Sequence, residues 1–293
     1  MYPYLIRLDH PHIWVASYPT LIGLAVVVCL LVAPPWAQSL EGVDRRTMRR
    51  ILAILAIATF LGGHLHYLLN SWRYVVFRMN AGVYDTLLWT GIHAGGAVLA
   101  LVLATMFVAL RYRISPGKLG DAMVPAVGLG IAIARIGCFL QGCCYGTPCS
   151  WPWCVAFPQP SNVWDRHRVS GLVPPDATHS APVHPLQLYF AAVGLLILLT
   201  ALWLHPRKRY DGQVTLVALL IFSATSAALE GFRQDFGLRV YWGTLPQLTW
   251  VAMAMTATAL LVLVIAELAH RRGRSYTRSF LRLSRGCGGA GNV

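Results

Sequence analysis

The residues best suited to chemistry in this sequence lie between Ala134 and Gly146, which read ARIGCFLQGCCYG. Arg135 stands near the end of a long apolar run, and three cysteines follow it at 138, 143 and 144. A charged side chain within a membrane segment is costly, and it usually faces a cavity or a partner. The alternative is that Arg135 extends to the lipid headgroups. The stretch therefore predicts an anion-binding pocket or an interfacial anchor, with thiols close by.

The cysteines allow three interpretations. Cys138, Cys143, Cys144, Cys149 and Cys154 are separated by gaps of five, one, five and five residues, which is unlike the paired C-x-x-C spacing typical of zinc sites. In an oxidising compartment, we expect a disulfide that staples the loop, and Cys143 or Cys144 with Cys149 or Cys154 are possible partners between which the sequence does not choose. A thiol-oxidoreductase is the third interpretation, although such enzymes favour a C-x-x-C pair or a similarly activated thiol.

The composition indicates a polytopic membrane protein. Of the 293 residues, 56% are hydrophobic and only 12% are charged, against about a quarter charged in a soluble domain. The net charge of +13 comes from basic residues between apolar runs, which indicates membrane topology and argues against nucleic-acid binding.

Seven apolar runs approach the roughly 20 residues that a membrane helix needs, so we expect an all-α polytopic fold. The predicted spans are Ile13–Val32, Ile51–Leu69, Leu88–Leu110, Ala122–Gly142, Leu186–Leu204, Val214–Phe232 and Leu245–Ile265. We expect residues 1–269 to form the membrane domain and residues 270–293 a basic cytoplasmic tail.

The arginines and lysines set the predicted orientation. They crowd the loops after the first, third and fifth spans, and the C-terminal tail. Since basic loops stay in the cytoplasm, the N-terminus is predicted outside and the C-terminus inside. The long loop at 143–184 then lies outside as a small periplasmic cap between the fourth and fifth spans.

This orientation places the polar residues of the spans at one depth. Arg135 falls roughly 10 Å below the outer boundary, at a rise of 1.5 Å per residue. The other members of this outer layer are Tyr18, His64, His66, His93, Gln187, Tyr189 and Glu230. A layer shared by several helices predicts a polar pocket that opens outward. Each member also has a structural interpretation: Glu230 can neutralise Arg135 or Arg233, and His64 and His93 lie beside the glycine pairs 62–63 and 95–96, which favour close helix packing.

The order of motifs resembles the prolipoprotein diacylglyceryl transferase family. ARIGCFLQGCCYG is similar to that family's signature G-R-x-G-N-F-x-N-x-E-x-x-G. Further segments agree in order along nearly the whole chain: FLGGHLHYLL at 60–69, IHAGG at 92–96, PWCVAFP at 152–158, HPLQLY at 184–189 and ALEGFRQDF at 228–236.

The resemblance implies an enzyme of a bacterial inner membrane with its active site towards the periplasm. It would transfer a diacylglyceryl group from phosphatidylglycerol to the thiol of a lipobox cysteine in a preprolipoprotein. The products would be a thioether and glycerol phosphate, and neither a metal nor another cofactor is implied. A cation that binds phosphate and a base that generates the thiolate are the chemical requirements.

The same resemblance implies roles for individual residues. Arg135 would bind the phosphate, and His93 or His64 would act as base. Glu230 and Arg233 match the family's E-x-F-R pair and would organise the site. The remaining substrate-binding residues would be Tyr18, Gly137, Gly146, Gln187 and Tyr189.

Several positions depart from the family pattern. Cys138 and Gln141 replace the two signature asparagines, and Cys143 replaces the glutamate. Ser226 and His64 stand where arginines are expected, and Phe190 follows Q-L-Y in place of glutamate. A divergent, cysteine-rich paralogue with another acceptor or lipid is therefore an alternative. A lipid or solute carrier is a further one, although it would need polar residues in both halves of the membrane.

Overall fold

A computed structural model describes residues 4–8, 13–80, 93–234, 241–242 and 245–286. The helices are α1 Ser17–Glu41, α2 Arg45–Asn70, α3 Trp72–Asn80, α4 Ala94–Tyr112, α5 Pro116–Gln141, α6 Asn162–Val169, α7 Leu186–Leu204, α8 Gln213–Glu230 and α9 Gln247–Gly286. Two short hairpins pair β1 (Tyr4–Leu8) with β2 (Ile13–Ala16), and β3 (Tyr241–Trp242) with β4 (Leu245–Pro246).

The predicted membrane architecture is confirmed. Within the described ranges, seven helices are long and apolar enough to cross a membrane, and they are α1, α2, α4, α5, α7, α8 and α9. Many large apolar side chains on them are exposed, Leu110 by 77% and Leu31 by 69%. Because the backbone groups of a helix bond to one another, such surfaces are compatible with lipid.

The structure differs from two of the predicted span boundaries and does not describe a third. The prediction that the first span begins at Ile13 is wrong, because Ile13–Ala16 is a strand paired with Tyr4–Leu8 and the helix begins at Ser17. An apolar run of that length does not distinguish a strand from a helix start. Residues 88–92 of the predicted third span lie outside the described part. The last helix continues to Gly286, across the predicted start of the tail.

The chain divides into two compact units. The first comprises Met1–Cys29 and Val124–Val293, and the second comprises Leu30–Met123. In the first unit, a core of Val124, Val193, Ile197, Ala201 and Val214 joins α5, α7 and α8. Gly128 and Gly194 lie where α5 and α7 approach most closely, since a Cβ on Gly194 would lie 2.7 Å from the Gly128 carbonyl oxygen. Small residues at such points let membrane helices pack backbone to backbone.

In the second unit, α2 packs against α4 through the predicted glycines. A Cβ on Gly62 would lie 2.2 Å from the Ala100 Cβ, and one on Gly96 would lie 2.3 Å from the His66 Cβ. The packing role expected for these glycines is confirmed. It places His66 and His93 close together near the ends of their helices.

Candidate active site

Backbone hydrogen bonds in the first unit connect the segments that follow α5 and α8 with the start of α7. The Gly146 N–H donates to the His184 carbonyl at 2.9 Å, and the His184 N–H donates to the Thr147 carbonyl at 3.1 Å. The Thr147 N–H donates to the Phe232 carbonyl, and Gly146 forms a bridge with Arg233. These bonds place Gly146, Arg233 and the beginning of α7 in one small region.

Gly146 is required by this close approach. A Cβ there would lie 2.6 Å from the His184 Cβ and 2.7 Å from the Phe232 carbonyl oxygen. Gly137 serves α1 in the same way, since its Cβ would lie 2.9 Å from the Leu21 Cβ. Both glycines that were predicted to bind substrate therefore have a packing role.

We expect Gly146→Ala to destabilise the protein by about 1–3 kcal/mol, the usual cost of overpacking a fixed site. Thermal unfolding in detergent measures the change, and Gly231→Ala is the matched control because nothing lies within 4 Å of a Cβ at that position. Equal melting temperatures for the two variants would contradict the close approach described here.

Arg135 lies half-buried in the penultimate turn of α5. Its Cζ is 4.6 Å from the ring centroid of Phe190, which makes a cation–π contact. No acidic side chain among the described residues forms an ion pair with it. Phe190 occupies the position where the family pattern has glutamate, so an aromatic ring contacts the guanidinium here, and the guanidinium hydrogen-bond donors stay available to an anion.

Tyr18 and Glu230 also belong to the first unit. The Tyr18 backbone packs against Gly137, two residues after Arg135, since a Cβ on Gly137 would lie 3.6 Å from the Tyr18 carbonyl oxygen. Tyr18 itself is 41% exposed. Glu230 ends α8, and its side chain is only 9% exposed. One of its carboxylate oxygens lies 3.7 Å from Arg233 Nη1, so the predicted E-x-F-R residues form an ion pair.

Gln187 and Tyr189 open α7. Gln187 is fully buried and donates from Nε2 to the Cys143 carbonyl at 2.7 Å, while its Oε1 has no hydrogen-bond partner among the described residues. The Tyr189 hydroxyl accepts from Trp153 Nε1 at 2.9 Å and lies 3.3 Å from His184 Nδ1. Gln187, one of the predicted substrate-binding residues, thus positions the chain at Cys143, just after the end of α5.

His184 is a residue that our site prediction omitted. Its ring packs against Phe232 at 4.9 Å and Trp151 at 5.2 Å between ring centroids. The side chain is buried, and its neighbour Phe232 directly precedes Arg233 in the chain. The HPLQLY motif, which begins at this histidine, was the signal available in the sequence.

The end of α5 brings three thiols together. Gly142 has a φ of +70° and Cys144 a φ of 58°, and this left-handed pair turns the chain back on the helix end. The sulfurs of Cys138, Cys143 and Cys144 all lie within 4.8 Å of one another. Hydrogen bonds from the Cys138 and Cys143 thiols lower the pKa of Cys144, and the positive charges of Arg135 and Arg233 add to the effect. Hydrogen bonds with Cys138 and Cys144 raise the pKa of Cys143.

The predicted loop disulfide is present, but none of the suggested pairings of Cys143 or Cys144 is observed. Cys149 is bonded to Cys154, with Cα atoms 6.1 Å apart, and neither is bonded to Cys143 or Cys144. The cause is the left-handed turn, which directs Cys143 and Cys144 towards Cys138. The disulfide therefore closes a short segment of the loop and leaves the thiols next to α5 free of it.

The loop between α5 and α7 has a core of its own, formed by Tyr145, Phe157, Val163 and Val183. Burial raises the pKa of Tyr145 to about 12. The Tyr145 ring meets the buried ring of His167 edge to face, with 5.6 Å between centroids. Burial lowers the pKa of His167, which favours its neutral form.

His167 should make the stability of this loop depend on pH. The unfolded chain takes up a proton near pH 6.5, whereas folded His167 does so only at a lower pH. The contribution of neutral His167 to the stability of the loop is therefore fully present above about pH 6.5, and it declines as the pH falls below that value. Hydrogen exchange of residues 145–183 at pH 5 and 7.5, corrected for the intrinsic rate, measures the loss. His167→Gln should reduce this pH dependence and His179→Gln should preserve it, while an unchanged profile in His167→Gln would contradict the assignment.

His64 and His93, the two predicted bases, belong to the second unit. His93 precedes α4, and its N–H donates to the Gly63 carbonyl at 3.1 Å. Its Nδ1 lies 3.5 Å from the Asn70 side-chain nitrogen, and its ring meets His66 and Tyr67 edge to face. The His64 ring stacks between Phe60 and Tyr67, with centroid distances of 6.0 and 6.2 Å. Both rings are thus held by aromatic neighbours within their own unit.

Comparison with known proteins agrees with the motifs. The model of the family described as prolipoprotein diacylglyceryl transferase matches residues 3–265. The proteins similar to this chain include three phosphatidylglycerol–prolipoprotein diacylglyceryl transferases. The one from Finegoldia magna is 26% identical over 74% of this chain and 79% of its own length. The one from Thermosynechococcus vestitus is 26% identical over 74% and 77%, and the one from Synechocystis sp. is 27% identical over 74% and 74%.

The seven apolar helices of the described ranges, together with a family match across nearly the whole chain, define an integral membrane transferase. The chain belongs to the prolipoprotein diacylglyceryl transferase family, as the motif order predicts.

Proposed function

We propose that this protein transfers the diacylglyceryl group of phosphatidylglycerol to the thiol of a lipobox cysteine in a preprolipoprotein. The observation that carries the proposal is Arg135, a half-buried guanidinium that contacts an aromatic ring and forms no ion pair with a described acidic residue. A guanidinium so placed suits a lipid phosphate, which it binds through two parallel hydrogen bonds.

The site belongs at the outer face of a bacterial inner membrane. Gly146, Glu230 and Gln187 lie at the helix ends opposite the basic loops, and basic loops remain in the cytoplasm. The Cys149–Cys154 disulfide agrees with this side, since disulfides persist in oxidising compartments such as the periplasm.

The reaction forms a carbon–sulfur bond and breaks a carbon–oxygen bond. The acceptor thiol gives its proton to a histidine base, for which we favour His93, held by Gly63 and Asn70. The thiolate attacks the carbon of the diacylglyceryl group that is bonded to the phosphate oxygen. The bond between that carbon and the oxygen breaks, and its electron pair leaves on the oxygen of glycerol phosphate. The leaving group gains a negative charge, so its attraction to Arg135 strengthens in the transition state.

Glu230 and Arg233 act as positioning residues in this scheme. Their ion pair orders the turn that follows α8, and Arg233 forms a backbone bridge with Gly146, two residues after Cys144. Gln187 in α7 holds the turn that follows α5 through its bond to the Cys143 carbonyl. Gln187 Oε1 is buried and accepts no hydrogen bond from a described residue.

Transfer can be tested with purified protein in nanodiscs of phosphatidylglycerol or of phosphatidylethanolamine alone, supplied with a lipobox peptide. Mass spectrometry should find the peptide heavier by one diacylglyceryl group only with phosphatidylglycerol. An adduct with phosphatidylethanolamine alone would favour the paralogue with another donor lipid. No adduct with either lipid, beside an active family enzyme, would refute the proposed reaction.

A further inference from the structure

The three thiols at the end of α5 form a cluster that the proposed transfer reaction does not use. Their sulfurs lie within 4.8 Å of one another, and Cys138 is buried while Cys144 is exposed. Three sulfur ligands around one zinc ion stand about 3.8 Å apart, given a Zn–S bond of roughly 2.3 Å and tetrahedral angles. The cluster needs only a small contraction to reach that spacing.

The backbone of the turn supports a binding role. Cys144 holds a left-handed conformation, with a φ of 58°, that a cysteine adopts at a cost and that glycine would adopt freely. Strained residues of this kind persist where the surroundings enforce them, and they cluster at functional sites. Here the strain directs the Cys144 sulfur back towards Cys138 and Cys143.

One hydrogen bond within the turn and one from α7 fix the cluster. The Cys143 N–H donates to the Cys138 carbonyl at 3.1 Å, and Gln187 donates to the Cys143 carbonyl at 2.7 Å. Outer contacts that orient ligands are a regular part of metal sites.

We propose that Cys138, Cys143 and Cys144 bind one zinc ion through their three sulfurs, with the fourth position open on the exposed side of Cys144. Sulfur ligands select thiophilic ions such as zinc and copper(I), and they exclude magnesium and calcium. Zinc is the expected occupant because it takes four ligands and is not reduced or oxidised. The linear spacing of the cysteines does not suggest this site, which arises from the left-handed turn.

The second group of possible ligands does not compete with this assignment. Cys149, Cys154 and His184 also lie close together, but the two cysteines are joined in a disulfide. Their sulfurs are therefore not thiolates, and His184 alone does not make a site.

The test measures metal in the intact protein. The protein is purified without chelator, equilibrated with zinc and then desalted. Inductively coupled plasma mass spectrometry should then find one zinc ion per chain. Cys138→Ser, Cys143→Ser and Cys144→Ser should each weaken zinc binding by about 100-fold or more. Cys29→Ser is the matched control, because Cys29 lies in α1 and its thiol donates to the Ala126 carbonyl. It should bind zinc like the wild type.

X-ray absorption at the zinc edge of the wild-type protein keeps the test decisive if a variant fails to fold. It should find three sulfur neighbours at about 2.3 Å. Zinc with nitrogen or oxygen neighbours only, copper in place of zinc, or a disulfide among the three cysteines would each overturn the assignment. These outcomes do not depend on transfer activity, so the site and the proposed reaction stand or fall separately.

Discussion

Arg135→Gln should lower kcat for diacylglyceryl transfer roughly 100- to 1,000-fold, the usual cost of removing one donor to a developing oxyanion. The amide retains a hydrogen-bond donor but loses the positive charge, and the charge on the phosphate grows during the reaction. The effect should therefore fall on kcat more than on KM. Arg135→Lys should recover part of the loss, because an ammonium restores charge without the planar pair of donors.

Arg207→Gln provides the matched control for Arg135→Gln. Arg207 also lies over an aromatic ring, with its Cζ 5.0 Å from the Trp203 centroid, but it follows the opposite end of α7. We expect the kcat of Arg207→Gln to stay within about twofold of the wild-type value, because substitutions at the surface have small effects. Equal losses in the two variants would mean that Arg135 acts through general stability and not through the phosphate.

His93→Gln should lower kcat by roughly 100- to 10,000-fold, the range over which general base catalysis contributes. The amide fills similar space and preserves the contact with Asn70, but it accepts no proton. Turnover should be measured with saturating peptide at neutral pH and at a pH high enough for the free peptide thiol to ionise. The ratio of wild-type to variant kcat should be smaller at the higher pH, because an ionised thiol needs no base.

His64→Gln distinguishes the two candidate bases. Its ring packs between Phe60 and Tyr67, so the substitution removes an aromatic contact and should reduce stability more than it reduces kcat. If His64→Gln shows the large loss of kcat and His93→Gln retains activity, His64 is the base and the assignment of His93 is wrong.

The sequence predicts the membrane architecture well, because lipid leaves the chain few choices. A long apolar run must form its own backbone hydrogen bonds, so Leu186–Leu204 begins and ends at its predicted residues. Alternating span directions likewise bring Arg135, Gln187 and Glu230 to the same end of the first unit. These predictions need only length, hydropathy and charge.

Details that depend on local backbone geometry could not be predicted in this way. The left-handed turn at Gly142 and Cys144 decides which sulfurs meet, and no spacing rule anticipates a left-handed cysteine. The strand at Ile13–Ala16 reads as helix because its neighbour at Tyr4–Leu8 must be known first. The contact between Arg135 and Phe190 likewise follows from how α5 packs on α7, although both residues stand at notable positions of the motifs.

The departures from the family pattern gain a physical context from these contacts. Phe190 replaces an acidic residue and contacts Arg135 through its ring, so the guanidinium keeps its charge available. Cys138 and Cys143 replace amide and carboxylate groups, and they join Cys144 in one cluster. The substitutions thus change the chemistry beside the predicted phosphate site in a concerted way.

The most direct test of the account is the chemical nature and stoichiometry of the product. Phosphatidylglycerol labelled in its glyceryl carbons should be incubated with the reconstituted protein and a lipobox peptide, and both products should be quantified. We expect one labelled diacylglyceryl thioether, resistant to hydroxylamine, for each glycerol phosphate released. A hydroxylamine-sensitive thioester on the peptide, or glycerol phosphate released without any thioether, would contradict the account.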